Sequence, residues 1–151
     1  MENVIVLELK VSPRDEVATS NQEIFDNLNK ALGFVPNLYA TMAYSDHGLR
    51  RYLNFQNAKT SFSNKEKEAI NLIVSEVNGC VYCLSTHTLI EKMNGFTDTQ
   101  LLDIKRDTSG NAKLDALVKL AADITKNKGN ADDENVHFFL TRATPKKASI
   151  R

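Results

Sequence analysis

The 151-residue sequence has no tryptophan, only three prolines and six glycines, and just two cysteines. Glycine and proline this sparse argue against low-complexity disorder. Two cysteines cannot build the disulfide framework of a small secreted domain. Net charge is missing as well: 19 Lys and Arg balance 19 Asp and Glu. With no basic patch, nothing points to nucleic acid or an acidic membrane as a partner. No apolar run is long enough to span a bilayer. Residues 1–10 alternate charge with Val4, Ile5, Val6 and Leu7, without the basic start and small-residue cleavage site of a signal peptide. The expected setting is cytoplasmic, a reducing compartment in which thiols are kept for chemistry.

What is present reads as helix. The apolar fraction of 42% supplies one core. Residues 1–20 read as an N-terminal arm, broken at Ser12-Pro13. Ile24, Leu28, Ala31 and Leu32 fall at helical spacing over 21–32, and Gly33 stops that helix. Pro36 fits the first turn of a short second helix. Asp46 can cap a third, carrying Leu49, Tyr52, Leu53 and Phe55. Ser63-Asn64-Lys65-Glu66 is a capping box and opens a helix that Asn78-Gly79 ends. The next helix opens at Cys80 and runs to Asn94-Gly95. Thr97-Asp98-Thr99-Gln100 is a second capping box, and two helices follow, near 111–126 and 132–141. The expected fold is all-α: a compact helical domain over 21–141 with a central antiparallel helix pair. Residues 142–151 carry only basic charges and no amphipathic period, and read as a frayed or altered end.

Both cysteines sit in one C-x-x-C, Cys80-Val81-Tyr82-Cys83, with His87 one helical turn beyond. Such sulfurs can close a small disulfide ring, and the histidine can move a proton to or from one of them. At a helix start, the exposed N–H groups and the helix dipole favour a thiolate at Cys80. Cys80, Cys83 and His87 share one helical stripe, and Cys83 borders Ile90 and Met93, so it is expected to be the less exposed sulfur. Folding this helix back on the preceding one brings Glu68 within about one turn of His87 along the axis. Helical position alone does not select Glu68; it favours Glu76, between Leu72 and Ala69, as the buried carboxylate.

Glu68 followed by Asn78-Gly79-Cys80-x-Tyr82-Cys83-x-x-x-His87 resembles the alkylhydroperoxidase D-like branch of the carboxymuconolactone decarboxylase superfamily. That branch carries a Glu twelve positions before the first Cys, as here. Gly33-Phe34-Val35-Pro36-Asn37-Leu38-Tyr39 is similar to the segment preceding this core in a peroxidase-related subgroup. The resemblance implies an all-helical homotrimer or homohexamer with thiol peroxidase activity. It also implies Cys83 as the thiol that attacks a small hydroperoxide, Cys80 as the resolving thiol, and His87 and Glu68 as the proton relay. No metal, haem or flavin is expected; a thiol or dithiol donor, free or protein-bound, resets the pair. The best-known members have a second histidine between the cysteines, where this chain has Tyr82.

Tyr82 can hydrogen-bond a peroxide oxygen or pack beside Leu89. Glu76 is read as a supporting carboxylate. His47 and His137 read as structural, and Tyr39, Met42 and Phe55 as core or subunit interface. Two other functions fit the same residues: a redox adaptor or sensor exchanging disulfides with a protein partner, and a metal-binding or structural helical module. Zinc on Cys80, Cys83 and His87 would need a fourth ligand. Lactone decarboxylation is disfavoured, because the C-x-x-C belongs to the redox branch.

Overall fold

The computed structural model describes residues 11–143. The N-terminal ten residues, half of the expected arm, and the residues beyond 143, most of the expected tail, lie outside the described residues. Eight α-helices and one 3-10 turn make up the described chain, with no strand among the described residues. The fold class is all-α, as the sequence indicates. The chain divides into two compact units, the first ending at Lys59 and the second beginning at Thr60.

The first unit holds a 3-10 turn (Arg14–Glu16), α1 (Thr19–Leu32), α2 (Asn37–Met42) and α3 (Gly48–Gln56). Its core is Val17, Phe25, Ala40, Ala43 and Leu49. Asn21 is fully buried. Its amide donates to the carbonyls of Ala43 (3.2 Å) and Ser45 (3.1 Å), tying α1 to the segment before α3. Two helix starts differ from expectation. Pro36 is the N-cap of α2, just outside its first turn. The N-cap of α3 is His47, not Asp46, and the Gly48 N–H donates to Ser45 Oγ (3.0 Å). Phe55 is 83% exposed and so takes no part in this core.

The second unit holds α4 (Asn64–Val77), α5 (Val81–Met93), α6 (Asp98–Lys105), α7 (Ala112–Lys126) and α8 (Asp133–Ala143). α4 packs against both α5 and α7, and α7 against α8. The core joins Ala69, Leu72 and Ile73 of α4 to Phe96, to Leu101 and Ile104 of α6, and to Val118 and Ala122 of α7. Each large aliphatic side chain buried this way contributes about 1.5–3 kcal/mol.

Both capping boxes form. The Glu66 N–H donates to Ser63 Oγ while the Glu66 carboxylate accepts from the Ser63 N–H (2.7 Å). The other oxygen of Glu66 meets Lys113 Nζ at 2.6 Å, joining the start of α4 to α7. Thr97 and Gln100 repeat the reciprocal pattern at α6.

Candidate active site

The turn between α4 and α5 sets the site. Asn78 ends α4, Gly79 takes a left-handed φ of +62°, and the Cys80 N–H reaches back to the Ser75 carbonyl (3.0 Å). This is the glycine-dependent helix stop expected of Asn-Gly. It delivers Cys80 to the N-cap of α5, where its Sγ accepts the Cys83 N–H at 3.3 Å. No acidic residue lies in the first turn of α5. Cys80 and Cys83 are joined as a disulfide, with Cα atoms 5.3 Å apart. Both are half-buried, so burial does not single out Cys83.

Because the connection is so short, α4 and α5 run antiparallel, and residues at matched distances from the turn meet. His87 Nδ1 lies 2.8 Å from Glu68 Oε2, with their side chains 22% and 18% exposed. The second carboxylate oxygen, Glu68 Oε1, accepts from Asn71 Nδ2 (3.2 Å). The carboxylate is thus held by its own helix and fixes the orientation of an imidazole one turn from Cys83.

Glu76 is exposed, contrary to the burial expected from its helical position. In the last turn of α4 the buried side passes to Ser75, whose carbonyl is taken by Cys80 and whose Oγ donates to Asn71. Glu76 is left on the open side. Tyr82 is half exposed, and the apolar side chains of Val81, Leu89 and Met93 on the same helix are largely exposed. His47 caps α3 and is exposed, as is His137 on α8. Among the described residues, no group of three or more His, Cys, Asp or Glu is placed to hold a metal ion. No helix of the described residues is long and apolar enough to cross a membrane.

The sequence reading missed Glu91. It follows His87 by four residues on α5, yet it is fully buried, and neither carboxylate oxygen has a hydrogen-bond partner among the described residues. Burial first, and the negative charge of Glu68 second, push its carboxyl up to about 8, against a weaker opposing pull from Lys105. The signal was available: positions 80, 83, 87 and 91 continue one helical stripe. A Glu-Lys pair late in a helix nonetheless reads as a solvated face.

The carboxymuconolactone decarboxylase family pattern matches residues 45–123, which include both cysteines, Glu68, His87 and Glu91. The fold is similar to the crystal structure of an uncharacterized peroxidase-related protein from Silicibacter sp. TM1040. That likeness has a TM-score of 0.77 at 20% identity and covers 93% of this chain and 76% of the other. No curated protein matches the sequence. The chain belongs to the carboxymuconolactone decarboxylase family.

Proposed function

We propose that this protein is a thiol-dependent hydroperoxidase that cycles Cys80 and Cys83 between dithiol and disulfide. The observation that carries the reading is the 2.8 Å contact between His87 and Glu68, one turn from the cysteine pair. A carboxylate-oriented imidazole beside a dithiol can take the thiol proton and return it to a leaving oxygen. In the proposed cycle the Cys83 thiolate attacks the outer oxygen of ROOH. The O–O bond breaks, Cys83 becomes a sulfenic acid, and the departing alkoxide takes a proton from His87 and leaves as ROH. The Cys80 thiol then attacks the sulfenic sulfur, the disulfide forms, and water departs. A thiol or dithiol donor gives two electrons and two protons to restore the pair, becoming a disulfide itself. Tyr82 supplies a phenol that can donate to a peroxide oxygen. The chemistry asks for a reducing, cytoplasmic setting. Assembly as a homotrimer or homohexamer is part of the same proposal, and the exposed Val81, Leu89 and Met93 on α5 offer apolar surface to a neighbouring subunit.

The test mixes fully reduced protein with a small organic hydroperoxide and follows thiol loss and intact mass. Loss of two hydrogens per chain, much faster than a free thiol reacts, is expected. Cys83→Ser should abolish the reaction, and Cys80→Ser should leave a sulfenic acid on Cys83 that a dimedone-type reagent traps. Reaction no faster than a free thiol refutes the peroxidase reading. A second reading, a disulfide-exchanging adaptor, is favoured by Val81 and Tyr82, 76% and 50% exposed beside the disulfide, where a protein partner could approach. Fast exchange with a protein disulfide, alongside a negligible peroxide rate, would select it.

A further inference from the structure

Among the described residues, Glu91 is a buried ionisable group on the helix of the cysteine pair that the proposed cycle does not use. It lies a turn beyond His87 on α5, is 0% exposed, and has no donor for either carboxylate oxygen among the described residues. One turn before it, the Thr88 hydroxyl is also buried without a hydrogen-bond partner. A carboxylate left this way loses its hydration and gains nothing in return, so the neutral acid is the form the site accepts.

Its charged surroundings are few. From α4, Glu68 acts on it, with a charge already committed to His87 and Asn71. From α6, Lys105 acts in the opposite direction. Lys65 of α4 lies over the Phe96 ring, 4.7 Å from its centroid, and Lys92, next to Glu91, pairs with Asp98 on the exposed side at 2.7 Å. The two carboxyls therefore share the surroundings of His87 with one negative charge between them, that of Glu68. A second charge on Glu91 would oppose the first.

We propose that Glu91 is a positioning residue of the Glu68–His87 pair, remaining a neutral carboxylic acid at neutral pH so that Glu68 alone carries the charge that orients His87. The inference deepens the hydroperoxidase reading, since it rests on Glu68 and His87 as the relay, but its test does not need turnover. Ionisation of Glu91 at alkaline pH then acts as a brake, placing a competing anion beside the imidazole.

The experiment compares the wild type with Glu91→Gln, which keeps the shape and cannot ionise. Infrared difference spectra near neutral pH should show the C=O stretch of a protonated carboxylic acid, present in the wild type and absent in the variant. In the wild type that band should fade near pH 8, where burial places the group. The ring signals of His87, followed by NMR, should show a step in the same pH range that Glu91→Gln removes. A wild type without the acid band at neutral pH overturns the inference, as do superimposable His87 titrations. If the variant does not fold, carbon-13 labelling of glutamate in the wild type identifies the band by its isotope shift, and its presence or absence decides the same question. Peroxide rates separate the two claims. Absence of reaction in both proteins counts against the hydroperoxidase reading, while the spectra still decide the state of Glu91.

Discussion

Replacing Glu91 by Gln should stabilise the protein at neutral pH, by an amount that depends on pH in a defined way. The carboxyl titrates at 4.5 when free in water and at about 8 in the fold. Between those values the folded chain holds a proton that the unfolded chain has released, so stability falls as pH rises through the window. At about 1.4 kcal/mol per pH unit, the full interval is worth about 5 kcal/mol, of which about 3 kcal/mol is in force at pH 7. Gln removes that dependence while burying an amide of similar size, which makes it a closer control than Leu. Urea unfolding, followed by far-ultraviolet circular dichroism at several pH values from about 5 to 9, measures the difference. The advantage of Glu91→Gln should be below about 1 kcal/mol near pH 5, grow steadily, and level off above pH 8. Parallel stability profiles for the two proteins would refute the reasoning. A Gln variant less stable at every pH would show that the carboxyl has a buried donor.

Two further outcomes follow from the geometry. Glu68→Gln should slow peroxide-driven thiol loss by about 10²-fold, the scale of a lost proton-transfer partner, with helix content unchanged. Glu76→Gln, on the exposed side of α4, should leave the rate as it was, and equal rates in all three proteins would remove Glu68 from the relay. Gly79→Ala should cost about 1 kcal/mol through its left-handed φ of +62° alone, since nothing lies within 4 Å of the added Cβ. Gly110→Ala, with ordinary φ and equally open space, is the control in the same denaturation assay and should be close to neutral.

Much of the fold was legible because its boundaries are written in local chemistry. Ser63 and Glu66, Thr97 and Gln100, and the Asn78-Gly79 stop act within a few residues, and the structure places each helix end where they indicate. The 3-10 turn after Pro13 was not read, nor the division after Lys59, where no shift in composition marks the boundary. At the site, the cysteine pair and His87 were legible from spacing. The choice between Glu68 and Glu76 was not settled by local reading, because a helical wheel ranks faces within one helix and says nothing of the facing one. The family resemblance, with its Glu twelve positions before the first Cys, pointed to Glu68, and the hairpin brings that carboxylate to His87. Glu91 escaped because burial of a charged residue depends on how α4 and α6 close over α5, a tertiary fact with no local marker.

The opening turn of α5 differs in charge from those of its neighbours. In this unit α4, α6, α7 and α8 each place an Asp or Glu in the first turn, where a carboxylate satisfies the positive end of the helix. α5 has none, and the Cys80 sulfur stands at its cap instead. Oxidised, that sulfur carries no charge and meets the end of the helix only as a neutral acceptor of the Cys83 N–H. Reduced, it can become the anion the helix lacks. The same helix dipole thus meets a neutral sulfur in one redox state and an anion in the other, so this helix end favours the reduced form. A resident carboxylate in that turn would have neutralised the preference before any substrate arrived.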